Sequence, residues 1–522
     1  MFAGSRRRFL SDVGRGMIVA SVGSSLAFDL GLAPIYAGEE ESGLTFGDME
    51  PMVDFLQSTP ADKMLPAVVD KIKAGMALKD LIAAAALANA RAFGGEDYVG
   101  FHTLMALSPA LSMSQAIGSD RAALPVLKVL YRNSARLGEV GGAAADALKP
   151  VAASELPSGA NPAEFLQRLV REQKRDLAES TFAGIAQKSP EDALNDLLVT
   201  VEDGAEVHRV VLVHRAWDMV SLVGTERAHT LLRQSLRYCL KNEEYTSKSF
   251  SGLRTLLPKL LDQHHLLGRS AGERKMEDAD LVAFVEVLFT STADQAAEAV
   301  AAALADDFAP AAIAEAISLA ANQLVLRDAG RVGNQIQPGK PQGSVHGDSI
   351  GVHACDSANA WRNIARYGNA RHTMAATILA GYQVALDRLQ RGGDFVNWQP
   401  RPAAEVLAQI TSNEKSQLLG ELNDAITSNN QELACAVTQH FADLHPGAEN
   451  DLFSVFVKYG TSEDGALHAE KFYRTTREEF ASTRAVFRGR HLVALARVTA
   501  SEFGKSAPGY EQACELLGVK TT

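Results

Sequence analysis

The feature that most constrains this chain is its punctuation: helix-start signals recur, and runs that could form strands are scarce. Thr59-Pro60-Ala61-Asp62, Asn161-Pro162-Ala163-Glu164 and Ser189-Pro190-Glu191-Asp192 each place a capping side chain before proline and a carboxylate in the first turn. The cap accepts amide hydrogens that have no partner inside the helix, and the carboxylate complements the helix dipole. Apolar residues then recur at three and four, as in Leu166, Leu169 and Val170, or Leu194, Leu197 and Leu198, which predicts core-facing helices. The same spacing predicts helices over 279–304, 309–328, 370–389 and 490–501. The expected fold is all-α, about two-thirds helix, well above the usual globular share.

One stretch breaks the pattern. Residues 329–347 are rich in Gly and contain Pro338 and Pro341, which predicts a loop. It lacks a preceding strand and the G-x-x-x-x-G-K pattern, so it is no phosphate cradle. It reads either as a linker between two lobes or as a flap that delivers His346 and Asp348 to a cleft, and long ordered loops favour the flap. The expected organisation is a segment 1–37 followed by one large helical domain over 38–522, or two lobes joined by 329–347.

Segment 1–37 opens Ser5-Arg6-Arg7-Arg8-Phe9-Leu10 and continues through a mildly apolar run from Met17 to Phe28. That is a twin-arginine signal, predicting delivery by the twin-arginine export machinery to the periplasm or cell envelope. The run is too short and weakly apolar for a membrane span, so no stable membrane insertion is expected. Four Arg and two Asp leave with the segment, taking the net charge from −12 to −14. An acidic chain without a Lys/Arg stripe is a poor partner for nucleic acid. Cys239, Cys355, Cys435 and Cys514 are widely separated, which removes zinc-ribbon and thioredoxin-like readings and favours buried thiols.

Chemistry points to the histidines. A weak internal recurrence places a histidine on one helix, a turn, and a second helix opening with another histidine: His214 leads to His229, His353 to His372, and His468 to His491, while His102 stands without a second member. Repeated helical hairpins suggest a solenoid-like or toroidal stack around an internal pocket. His353 lies fifteen residues before Gly368, about 22 Å along a helix, so His353 and His372 should not share one site. The expected cluster is therefore His102, His214, His353 and His468, as ligands or acid–base groups. Asp218 follows His214 by four residues and Asp356 follows His353 by three, on one helix face. The expected metal ligands are His214, His353, His468 and Asp356, with His208, His346, His372 and Asp218 in support. Imidazole with carboxylate suits iron or another transition metal. Trp361 and Arg362, beside Asn359, read either as pocket lining or as packing.

At these landmarks the chain resembles the questin oxidase-like family, in order along nearly the whole length after the signal. Phe101-His102-Thr103-Leu104-Met105-Ala106-Leu107 looks like the family's early His-Leu-x-Met-Ala-Leu helix. Val207-His208-Arg209-Val210-Val211 is similar to its middle segment. Val352-His353 through Trp361-Arg362 resembles a later His-x-Val-Thr-x-x-x-Ala-Leu-Arg element, with Asp356 and Trp361 in place of Thr and Leu. Asp464-Gly465-Ala466-Leu467-His468-Ala469-Glu470-Lys471 looks like the closing Asp-Glu-His-x-x-Lys element with an inserted pair.

The resemblance implies oxygen-dependent, Baeyer–Villiger-type oxidation of polycyclic aromatic small molecules, with NADPH as reductant and no flavin. An exported protein works where NADPH is not supplied, so the expectation carried forward is an exported oxidoreductase with a His-lined, metal-binding site. Two alternatives stay open: a metal-independent acid–base enzyme, and a non-catalytic helical binding or scaffold protein of the cell envelope.

Overall fold

Local capping works as the residues dictate at two of the three starts. Asn161 accepts from the amides of Ala163 (3.0 Å) and Glu164 (3.3 Å), and Ser189 from that of Asp192 (2.9 Å). At the third start, Thr59 is instead the extended C-cap of the preceding helix, and the helix from Ala61 has no side-chain cap. The expected twin-arginine signal, residues 1–37, lies outside the residues that the computed structural model describes, 43–522. The described residues are 71% helical and include no strands.

In chain order the helices are α1 Glu50–Ser58, α2 Ala61–Lys73, α3 Leu78–Phe93, α4 Tyr98–Ala116, α5 Leu124–Val140, α6 Pro162–Arg171, α7 Arg175–Ala186, α8 Pro190–Val201, α9 Val207–Val223, α10 Ala228–Lys241, α11 Glu243–Ser249 and α12 Leu253–Gln263. There follow α13 Asp278–Thr290, α14 Ala293–Ala305, α15 Pro310–Arg327, α16 Ile350–Tyr367, α17 Ala370–Arg391, α18 Ala404–Leu407, α19 Lys415–Thr427, α20 Gln431–Leu444, α21 Glu449–Ser462, α22 His468–Ser482, α23 Ala485–Glu502 and α24 Tyr510–Leu517. The single helix expected over 279–304 is two, α13 and α14. Thr292 breaks it, closing a reciprocal capping box with Gln295 that starts a new helix.

The chain forms two units. One comprises the residues up to Leu107 with Leu130–Asp203 and Arg215–Ser249; the other comprises Ser108–Val129, Gly204–His214 and Phe250–Thr522. The division does not fall at 329–347, and that loop belongs wholly to the second unit. In the first unit α8 packs on α6 and α10, and α3 on α1. In the second, α16 packs against α15, α17 and α22, and α23 against α20. None of the four cysteines is in a disulfide, and all are buried.

Candidate functional site

Helices α16 and α22 run parallel, and their facing side chains form a ladder. His353 and His468 lie with ring centroids 5.3 Å apart at its start. One turn on, the Thr475 hydroxyl donates to Asp356 Oδ1 (2.7 Å). Next, Asn359 donates to Glu478 (3.0 Å) and Glu479 (2.9 Å), and Arg362 pairs with Glu479 (2.8 Å). Trp361 is fully buried and donates to Gln383 (2.7 Å); it is packing, not pocket lining.

A third imidazole joins the first rung: His208 lies 5.8 Å from His353, centroid to centroid. It is the second residue of α9. Glu206, just before the helix, takes the amides of His208 and Arg209 (both 3.0 Å) and also holds His208 Nδ1 (2.6 Å). The carboxylate thus caps the helix and fixes the imidazole, the arrangement by which an acid orients a histidine.

All three rings sit at helix starts: His208 second in α9, His353 fourth in α16 and His468 first in α22. Three helix N-termini therefore bring partial positive charge to one place, which favours negative charge there. Burial, with the Lys471 ammonium and His208 adding to it, pushes the His353 imidazole down to about 3. His353 stays neutral at any ordinary pH, and its Nε2 is buried with no hydrogen-bond partner. The backbone just before His468 is strained: Ala466 and Leu467 have φ of +48° and +68°, left-handed values costly for residues with a Cβ.

Behind His468 lies a second charged group. Lys128 pairs with Glu470 at 2.7 Å with both side chains buried, and Lys128 also donates to the Gly460 carbonyl (2.7 Å). Glu502 is half-buried, accepts from the Gly347 amide (2.8 Å) and is pushed up to about 7 by desolvation.

Of the four expected histidines, the structure brings His353 and His468 together. His214 is the eighth residue of α9 and lies by Tyr367, its Nδ1 3.5 Å from the phenol oxygen. Tyr367 ends the helix whose fourth residue is His353, and His214 stands six residues beyond His208 along α9, about 9 Å of helix from the first rung. His102 belongs to the first unit, between Tyr98 and Phe101, with Nδ1 2.7 Å from the Tyr98 carbonyl. Asp218, also of the first unit, faces Arg215 at 3.6 Å. His372 accompanies Arg371 (3.2 Å) at the start of α17, and His346 lies in the 329–347 loop as expected.

The recurrence pointed to His214 on α9, whereas α9 starts at Val207 and its start histidine is His208. Glu206 and Lys471 carried a usable signal, an acid two residues before a helix-start histidine and a Lys three residues after one. Lys128 and Glu502 carried none.

The donor set does not fit the expected metal. Among the described residues no group of three or more His, Cys, Asp or Glu side chains is arranged to hold an ion. Of the four expected ligands, Asp356 is bound by Thr475, His214 lies by Tyr367, and Lys471 supplies positive charge beside the remaining pair. Nor do the described residues include a strand from which a strand–turn–helix nicotinamide cradle could start. No family model matches the chain, and no curated protein and no solved structure matches it.

Proposed function

We propose that this protein is an oxidoreductase of the questin oxidase-like kind, acting on a hydroxylated, enolisable aromatic small molecule, and that its own contribution is metal-independent acid–base chemistry at His208, His353 and His468. The oxidoreductase class rests on the sequence resemblance. The chemistry rests on one observation: the Glu206–His208 pair opens onto two further imidazoles where three helix N-termini meet. In this reading His208, oriented by Glu206, takes a proton from the substrate hydroxyl. The resulting oxyanion is stabilised by the helix termini and the Lys471 ammonium, electrostatics of the kind that dominates such steps. Neutral His353 passes or holds a hydrogen bond between His208 and His468. The electron-rich aryloxide so formed gives two electrons to dioxygen and forms a ring-carbon–oxygen bond, both oxygen atoms being taken up as a peroxide that recovers the proton held by His208.

Oxygen consumption by the purified full chain, with a panel of hydroxyanthraquinones and with and without NADPH, tests the proposal. Turnover should fall about 100-fold or more in Glu206→Gln and His208→Ala, the scale of a lost general base. It should survive chelation and hardly change in His214→Ala. Activity abolished by chelation restores the metal reading. Folded wild-type protein that binds the aromatic panel without turning it over favours the scaffold reading.

A further inference from the structure

Glu502, the last residue of α23, brings a carboxyl beside the stem of His468. The two flank Gly347: a Cβ there would lie 2.5 Å from the His468 Cβ and 2.8 Å from Glu502 Oε1, so no larger residue fits between them. The Gly347 amide donates to that same oxygen. The other oxygen faces Gly465 at the strained entry to α22, where a Cβ would lie 2.9 Å both from Glu502 Oε2 and from the Ala469 Cβ. Two glycines that admit no side chain thus hold one carboxyl beside one imidazole.

The same carboxyl also meets open space. With Gly460, Glu463 and Thr499 it lines a cavity of about 10 Å³, room for about one water molecule, and Glu502 is itself only half-buried. Groups on several elements set its charge. Lys128 of α5 favours the ionised form, and Glu470 of α22 and Asp348 ahead of α16 oppose it. Glu463, Tyr459 and Tyr473 line the same cavity, and Lys505 in the following turn is paired with Asp464 (2.9 Å). Burial outweighs the Gly347 amide and Lys128 and holds the acid at about 7, close to an ordinary imidazole. A proton then passes between carboxyl and imidazole at little cost in either direction.

We propose that Glu502 is the relay through which the imidazole cluster takes up protons from solvent, handing them on to His468. The proposal rests on the acid–base reading of that cluster. Carrying the substrate peroxide on to an inserted oxygen atom and water takes two electrons and two protons, and a hydride donor brings only one of the protons. The other comes from solvent. The relay step is proton transfer alone: the Glu502 acid gives its proton to a ring nitrogen of His468, and the carboxylate left behind takes a replacement from water. Glu502 acts through His468 and touches no substrate.

Nitrogen-15 NMR of the full chain labelled in its histidine rings tests the relay without needing turnover. The His468 signals, identified by their loss in His468→Gln, should shift in two coupled steps between about pH 5 and about pH 9. In Glu502→Gln, which keeps an oxygen for the Gly347 amide, one step should vanish and the other move down by about half a unit or more. The wild-type steps keep the test open if that variant does not fold. Turnover supplies a second readout: in weak buffer Glu502→Gln should lower kcat about 10-fold with KM unchanged, and imidazole at about 100 mM should restore most of it, which a merely structural loss would not allow. A single-step titration in the wild type, ring shifts indifferent to Glu502→Gln, or a kcat that imidazole leaves depressed would overturn the proposal. Absence of turnover in the wild type overturns the acid–base reading instead, and the ring titration still decides whether Glu502 and His468 exchange protons.

Discussion

A lysine and a glutamate with essentially no exposed side-chain surface, Lys128 and Glu470, show how much a single residue can carry here. Each charge was taken out of water for the other, and neither Glu470 oxygen makes a well-aligned hydrogen bond. Removing one partner leaves an uncompensated buried charge, so Lys128→Met should destabilise the protein by about 3–5 kcal/mol. Urea denaturation measures the loss, and adding Glu470→Met to the same chain should recover most of it. A single variant as stable as wild type would mean that water reaches the pair. At this scale the sequence was partly legible. Histidines at helix starts were visible, and two of the four expected members meet. His208 was under-ranked because spacing along the chain shows only which residues share a helix face, whereas position within α9 needs the helix start itself. The Lys128–Glu470 partnership spans too much of the chain for any local pattern to reveal.

Helices were the most legible objects, because their signals are local. The predicted 309–328 and 370–389 correspond to α15 and α17 within two residues, and caps at Asn161 and Ser189 follow from side-chain chemistry alone. The failure at 279–304 is instructive. Apolar spacing ran through the junction, and only the Thr292–Gln295 box marked the break. Closeness between helices was not legible at all. Gly351, near the start of α16, comes so close to α15 that an added Cβ would lie 2.8 Å from the Leu324 backbone. Backbone cannot yield there as a flexible side chain would. Gly351→Ala should therefore cost about 1–3 kcal/mol in denaturant midpoint measurements, the usual penalty of overpacking. An alanine variant of unchanged stability would show that α15 and α16 can separate freely.

Across the molecule, buried imidazoles set the response to acid. Burial pushes His229, His353 and His491 down to about 3 and His346 down to about 4, against an ordinary 6.5. Unfolded, each ring takes a proton that the folded state refuses. Their stabilisation is complete above 6.5 and is lost as the pH falls through the window toward 3. Each ring contributes a slope of about 1.4 kcal/mol per pH unit inside that window. Glu502 acts in the opposite sense: held protonated up to about 7 against an ordinary 4.5, it stabilises below 4.5 and loses that as the pH rises to 7. Asp387, held well above its ordinary range, and Glu50 and Asp146, also raised by burial, act in the same sense as Glu502, so the denaturant midpoint should fall from pH 6.5 to 4.5, less steeply than four rings alone would give. A midpoint that is flat or rises on acidification would contradict this. The all-α class was legible at this scale from composition and spacing. The division into two units was not, since three of its five boundaries fall within α4, α5 and α9 and no linker composition marks them.

The four unbridged, buried thiols set a further property of the molecule. Cys239 belongs to the first unit and Cys355, Cys435 and Cys514 to the second. Burial holds the Cys355 thiol well above its ordinary range and the Cys435 thiol up at about 12, and a thiol that is neither ionised nor accessible is inert to alkylation. Each of these sulfurs therefore reacts only when its own surroundings open. The protein carries built-in clocks for local unfolding, one in the first unit and three in the second, and the order in which they are consumed ranks the regions by how often they breathe.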